Sequence, residues 1–253
     1  MGGGEAVAAT LLGDQSPAGR SVVTWYSSTA DLPKPGSMTL YKNPAKGNMH
    51  GVTYRYYQGP PVRWGFGYGL SYTTFAYSSF KLDKPSYQPC EPIVVTVSVK
   101  NTGAVASDEV VQVYIKQPGA SFPVPNVRLG AFKRVHVPAG GTITVSLTVK
   151  PEAHSVVTSD AGGEAIYVAS ADQQVEKGSI ELHVGGGQVS CASPVIYTPP
   201  CKLHTVYKYK YDVSYREGCV YNGKRWVQPD YYVGALMTKA TIGAAAALSS
   251  CTK

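Results

Sequence analysis

Five cysteines carry the widest choice of chemistry in this 253-residue sequence: Cys90, Cys191, Cys201, Cys219 and Cys251. Thiolates can hold a metal or pair as disulfides. No Cys-x-x-Cys pair occurs, and His204 is the single histidine near the last four. That spacing argues against a zinc site and for disulfides among Cys191, Cys201, Cys219 and Cys251. Those four allow three connectivities, and the odd count leaves one thiol free or paired between chains. Gly65, Gly67 and Gly69 form the other chemically suggestive spacing. A phosphate loop needs a following helix that starts with Lys-Ser/Thr, and none follows here. Neither a cofactor nor a metal is therefore expected.

The elements that would position such residues are mostly strands. Ile93, Val95, Val97 and Val99 alternate with Val94, Thr96, Ser98 and Lys100. Val111, Val113 and Ile115 repeat the pattern, as do Ile143, Val145, Leu147 and Val149, and Ile180, Leu182 and Val184. A period of two predicts half-buried strands. Weaker runs lie at 76–83, 128–137 and 164–170. About seven strands in succession predict an all-β, immunoglobulin-like seven-stranded sandwich over 75–186. Ahead of it, residues 5–12 predict a short helix, with Glu5 in its first turn and Gly13 as its C-terminal cap. A helix of that length is not stable alone, and nothing upstream of it is present for it to pack on. Residues 14–75 are rich in Gly, Pro, Ser and Tyr and predict loops with short strands.

Beyond Gly185-Gly186-Gly187, residues 187–253 read as a separate basic extension. They hold eight Lys or Arg against three acids, of a whole-chain net charge of +7. Tyr207, Tyr209, Tyr211 and Tyr215 share one parity and predict a strand with an aromatic face. Asn222-Gly223 predicts a hairpin, and 234–250 predicts a helix weakened by Gly243. No compact Lys/Arg cluster and no membrane-length apolar run occurs, so neither nucleic acid nor membrane is an expected partner. Charged residues make up 15% of the chain and 19 tyrosines are present. With the disulfide cysteines this composition predicts an extracellular, secreted protein, although no signal peptide is visible at Met1-Gly-Gly-Gly. Asn-x-Ser/Thr sequons are absent.

Two stretches carry a family resemblance. One is the Glu5-Ala-Val-Ala-Ala-Thr-Leu-Leu12 helix, then Gly13-Asp-Gln-Ser-Pro-Ala-Gly-Arg20 and Val23-Thr-Trp-Tyr26. The other is Gly51-Val-Thr-Tyr-Arg-Tyr-Tyr57 followed by Gly65-Phe-Gly-Tyr-Gly-Leu-Ser-Tyr-Thr-Thr-Phe75. In order and spacing they resemble the end of the second, α/β sandwich domain of glycoside hydrolase family 3 and its linker. Val97-Ser-Val-Lys-Asn-Thr-Gly103, Asp108-Glu-Val-Val-Gln-Val-Tyr114, Leu129-Gly-Ala-Phe-Lys-Arg134 and Gly140-Gly-Thr-Ile-Thr-Val145 resemble that family's fibronectin type III-like domain. The likeness covers about residues 5–186 and is nearest to the β-xylosidase and β-glucosidase members. It implies three parts: 1–74 as a remnant of the α/β domain plus linker, 75–186 as the sandwich, and 187–253 as a disulfide-bearing extension with no counterpart in the family.

The resemblance also bears on activity. Family members are retaining β-glycosidases, with a nucleophilic Asp in the first domain and an acid/base Glu in the second; retention needs both carboxyls about 5 Å apart. Neither region matches this sequence. Glu5, Asp108, Glu109, Asp160 and Glu164 correspond to no catalytic position, so no catalytic residue is assigned and the chain alone is expected to be inactive. The glycines at 65–69 are then a turn with close backbone approach. Tyr57, Trp64, Tyr68 and Trp226 are candidate carbohydrate contacts, with packing of the linker the more expected role for the first three. Arg55 is expected to be a buried partner of a carboxylate or carbonyl rather than a substrate clamp. The expected partners are the missing hydrolase domains or neighbouring copies of the same chain, with polysaccharide as a third candidate. Two other functions compete: a stand-alone structural subunit of an extracellular assembly, and a carbohydrate-binding module.

Overall fold

The computed structural model describes residues 2–122, 124–157, 173–187, 220–221, 226–227, 236–243 and 245–247. Its first element is helix α1, Gly3–Leu12, closed by Gly13 at φ 88°. That is the left-handed geometry glycine adopts without cost. None of its residues is buried, and Leu11 and Leu12 are 77% and 79% exposed.

The strands follow in chain order. They are β1 Phe75–Leu82, β2 Ser86–Tyr87, β3 Ile93–Asn101, β4 Ser107–Lys116, β5 Arg128–Val137, β6 Thr142–Val149, β7 Val156–Val157, β8 Gln173–Val175, β9 Gly178–Gly185, β10 Val220–Tyr221, β11 Trp226–Val227, β12 Leu236–Ile242 and β13 Ala246–Ala247. One sheet has the order β1-β3-β6 and the other β2-β12-β9-β4-β5. Their facing side chains form a single core. Ile93, Val95, Val97 and Val99 of β3 are fully buried and pack with Val111 and Val113 of β4, Val145 and Leu147 of β6, and Leu182 and Val184 of β9. Period two put these residues on one face, and the antiparallel register, with Val97 opposite Val145, keeps their partners on the same face. Six of the seven runs expected as strands are β1, β3, β4, β5, β6 and β9. The seventh, 164–170, lies outside the described residues.

The Asn222-Gly223 hairpin is borne out: Val220 pairs with Val227 and Tyr221 with Trp226. The helix expected over 234–250 is not. Residues 236–242 form β12, paired antiparallel along β9 and parallel to β2 at Thr241–Ser86 and Ile242–Tyr87. Ala240 and Ile242 are buried while Lys239 and Thr241 are exposed. The alanine-rich composition favoured a helix. β-Branched Thr238, Thr241 and Ile242, with an open edge of β9 to cover, override that local preference. The Tyr207–Tyr215 stretch and Cys191, Cys201, Cys219 and Cys251 lie outside the described residues.

Candidate functional site

The alternation in β4 predicts an inward face of Val111, Val113 and Ile115 and an exposed outer face. The structure buries both: Gln112 is 3% exposed and Tyr114 fully covered. The cover is the N-terminal segment. Gln112 donates from Nε2 to the carbonyls of Gly67 (3.2 Å) and Gly186 (3.0 Å), and Tyr114 donates its hydroxyl to Gln112 Oε1 (2.5 Å). Tyr54 stacks on Phe66 with centroids 4.1 Å apart and meets Tyr114 edge-on at 6.4 Å. Its hydroxyl accepts from the Leu129 amide (3.3 Å). The approach is close enough to require glycine. Gly67 sits at φ 77°, and a Cβ there would stand 2.3 Å from Gln112 Oε1. A Cβ on Gly69 would stand 2.2 Å from the Gly19 carbonyl. The spacing that resembled a phosphate loop is therefore a docking turn.

Arg20 and Glu109 fasten the same junction at one end of the core. Arg20 Nη2 donates to Glu109 Oε2 (2.5 Å), Arg20 Nε donates to the Gly186 carbonyl (3.2 Å), and Tyr77 of β1 donates its hydroxyl to Glu109 Oε1 (2.6 Å). The two charged side chains are only 12% and 2% exposed. Burial pushes the Glu109 carboxyl above the usual carboxylate range, and the Arg20 charge pulls it back part of the way. Burial and the neighbouring carboxylate hold the Tyr77 hydroxyl well above its ordinary value. Both Glu109 oxygens are engaged by protein donors and shut off from water. This carboxyl is a clamp between segments and has no free face for proton transfer to a ligand. Nearby, Ser107 donates its hydroxyl to Ser16 (2.8 Å), and the amide of Tyr72 donates to the same Ser16 oxygen (3.0 Å).

A second feature lies on the outward side of the N-terminal segment. Trp25 and Trp64 form an isolated antiparallel bridge, with the Trp25 amide donating to the Trp64 carbonyl (2.8 Å). Their rings meet edge-on at 6.1 Å, and Trp64 lies over Tyr68 at 6.5 Å with 28° between the planes. The Arg63 guanidinium sits 5.0 Å from the Trp64 centroid. Trp25 and Trp64 are 52% and 40% exposed. Such a cluster can accept a flat apolar surface, either a sugar face or another protein.

Of the residues named from sequence as carbohydrate contacts, Trp64 and Tyr68 come together here. Tyr57 does not: it is buried, with its ring edge-on to Tyr26 (5.0 Å) and His50 (6.1 Å). Trp226 lies in β11, and its side chain is outside what the structure describes. Arg55, expected to be buried, is exposed. Its backbone carbonyl accepts from the Asn126 amide (2.7 Å), while its side chain turns out over the Tyr54 ring, 5.7 Å from the centroid. Sequence reasoning gives Arg20, Gln112 and Tyr114 no role and weighs Glu109 only as an acid that matches no catalytic position. Arg20 read as the end of a motif, and the other three as part of an ordinary half-exposed strand; nothing in the sequence marks their burial. Cys90, outside the expected disulfide set, is disulfide-bonded. Among the described residues, no group of three His, Cys, Asp or Glu could hold a metal ion, and no helix is long and apolar enough to cross a membrane.

Comparison with known proteins fits this arrangement. Residues 109–188 match the fibronectin type III-like domain family. The β-xylosidase of Formosa agariphila is 32% identical over 185 residues, covering 73% of this chain and 24% of that protein. The periplasmic β-glucosidase of Salmonella typhimurium is 31% identical over 192 residues, covering 71% of this chain and 25% of that protein. The solved structure of the GH3 β-glucosidase of Bifidobacterium adolescentis superposes with a TM-score of 0.58 at 27% identity, over 73% of this chain and 26% of that one. The chain thus spans about a quarter of the length of the relatives it matches. A strand-built sandwich, with a preceding segment locked to it through Arg20 and Glu109, corresponds to the C-terminal region of glycoside hydrolase family 3, of the β-xylosidase and β-glucosidase type, and includes that family's fibronectin type III-like domain.

Proposed function

We propose that this chain is the non-catalytic C-terminal portion of a secreted family 3-like glycosidase, and that its sandwich is the base on which the hydrolase domains are held. The observation that carries this reading is the distribution of exposed apolar surface. Of sixteen large apolar side chains exposed among the described residues, thirteen lie between Val7 and Tyr72. A concentration of that kind marks a surface built to be covered. The same segment is rigidly attached to the sandwich by the Arg20–Glu109 and Gln112–Gly67 contacts. In this reading residues 1–74 are the end of the α/β domain plus linker and 75–186 the sandwich; 187–253 is an extension that returns β12 to the sheet. The hydrolysis of β-glycosides belongs to the complete protein. The test is turnover of aryl β-xylosides and β-glucosides by the chain alone: none is expected, and turnover above a buffer blank would overturn the reading.

A second reading rests on the Trp25, Trp64 and Tyr68 cluster. The exposed Trp25 and Trp64 rings, beside the half-buried Tyr68, suit stacking on a sugar, which would make the segment a carbohydrate-binding surface. Retention on an insoluble polysaccharide separates the two readings.

A further inference from the structure

Arg55 and Arg128 meet where the N-terminal segment docks on the start of β5. Arg55 belongs to a short helix, α2, Thr53–Tyr56. Three contacts seat this stretch on residues 126–129. The Asn126 amide donates to the Arg55 carbonyl (2.7 Å), the Leu129 amide donates to the Tyr54 hydroxyl (3.3 Å), and Gln58 Nε2 donates to Asn126 Oδ1 (2.9 Å). Thr53 opens α2 at φ 61°. A β-branched residue holds that conformation only where its surroundings impose it. Here the Thr53 amide is tied to the Tyr26 hydroxyl (2.9 Å). Arg55 Nε donates to the Tyr54 hydroxyl (3.4 Å), the same oxygen that accepts the Leu129 amide. The Arg55 guanidinium therefore stands beside the residue that follows Arg128.

Arg128 is half-buried. Its Nη1 lies within hydrogen-bonding distance of the carbonyls of Glu152 (3.3 Å), Ala153 (3.2 Å) and Ser155 (3.0 Å), which fixes the side chain and leaves Nε and Nη2 for another acceptor. Nothing acidic balances the two guanidinium groups. Among the described residues the ion pairs use Arg20, Lys84, Arg134, His136, His183 and Lys239, and neither Arg55 nor Arg128 takes part in one. Glu152 lends Arg128 only its backbone carbonyl, and its own side chain is exposed. Burial, then the neighbouring Arg55 charge, lowers the Arg128 pKa, opposed only by the Tyr56 and Tyr54 hydroxyls. Burial, with Tyr41 adding to it, pushes the Tyr56 hydroxyl up to about 12, so it keeps its proton at neutral pH. Two like charges brought together in a partly dry place repel, and an anion relieves the repulsion. A carboxylate brings one charge; a phosphate group brings about two, with oxygens that suit the guanidinium forks.

We propose that Arg55 and Arg128 form a phosphate site at the junction of the N-terminal segment with β5, taking inorganic phosphate or the phosphate of a monoester. One guanidinium is contributed by α2 and the other by the first residue of β5, so the bound group bridges the two elements.

Isothermal titration calorimetry of the purified chain, in a phosphate-free buffer at fixed ionic strength, reads the site. Saturable binding of inorganic phosphate is expected, with acetate roughly tenfold or more weaker because it brings one charge. Arg55→Gln, at an exposed position, should weaken phosphate roughly tenfold or more, while Arg55→Lys, which keeps the charge, should retain most of the binding. Glucose 6-phosphate binding more tightly than inorganic phosphate assigns the site to a monoester, and equal affinity assigns it to free phosphate; uncharged glucose should not bind. The proposal is overturned by the absence of saturable heat with both phosphates, by equal affinity in wild type and Arg55→Gln, or by acetate binding as tightly as phosphate. The wild-type comparison of phosphate with acetate stands even if a variant fails to fold.

Discussion

Arg20 and Glu109 are 89 residues apart in sequence and joined by a 2.5 Å ion pair, with 12% and 2% of their side chains exposed. The pair links a loop of the N-terminal segment to the start of a central strand. It is satisfied on both sides, by the Gly186 carbonyl on Arg20 and the Tyr77 hydroxyl on Glu109. A buried pair of this kind contributes little over an apolar substitute, but breaking it leaves one charge stranded. Its effect is to fix which face of the segment meets the sheet.

Glu109→Gln keeps the shape and the Tyr77 contact but strands the Arg20 charge. A loss of roughly 3–5 kcal/mol in unfolding free energy is expected. Urea unfolding followed by fluorescence measures it, and a loss below about 0.5 kcal/mol, the level of an ordinary surface change, would show that the pair does not hold the junction.

Gly67→Ala should cost about 1–3 kcal/mol, because φ 77° strains any Cβ and that Cβ would press on Gln112 Oε1. The damage should be local, so limited proteolysis ought to cleave residues 20–70 sooner while the sandwich survives. A variant as protease-resistant as wild type would mean that the segment docks without this contact.

His154 is 1% exposed, and its Nε2 has no hydrogen-bond partner among the described residues. Burial, with the Arg128 charge adding to it, lowers its pKa from 6.5 to about 4. The folded state therefore binds this proton less readily than the unfolded chain. The resulting stability is present above pH 6.5 and is lost as pH falls through about 4, by about 3 kcal/mol in all. Glu109, with its carboxyl raised by burial, works in the opposite sense. Its contribution is present below the ordinary carboxylate value and is lost as pH rises through the raised one. Urea midpoints at pH 7 and pH 4.5 should differ strongly for wild type and much less for His154→Gln. Equal slopes in the two proteins would remove His154 as the cause.

If the cluster of exposed Trp25 and Trp64 with half-buried Tyr68 serves protein packing, the chain should pass columns of xylan, cellulose and chitin without retention. Retention on any of them that weakens at least tenfold in Trp64→Ala would transfer the assignment to carbohydrate binding, since one stacked ring contributes on the order of 1.4 kcal/mol.

Sequence by itself determined the sandwich strands, because side-chain alternation is a local property and each of β3, β4, β6 and β9 carries it in full. It also determined α1, through Glu5 and the Gly13 cap, and the β10–β11 hairpin, through Asn222-Gly223. The ordered motifs at 13–20 and 65–75 were enough to indicate the family. Tertiary structure alone decided the rest. Gln112 and Tyr114 look like outward residues until Gly67 and Tyr54 cover them. Glu109 looks like a solvated acid until Arg20 arrives from 89 residues away. β12 resembles a helix until the bare edge of β9 offers its amides and carbonyls a partner. Period and propensity record what a residue prefers beside its neighbours in sequence. Burial, ion pairing and strand order are set by neighbours that only the folded chain brings together.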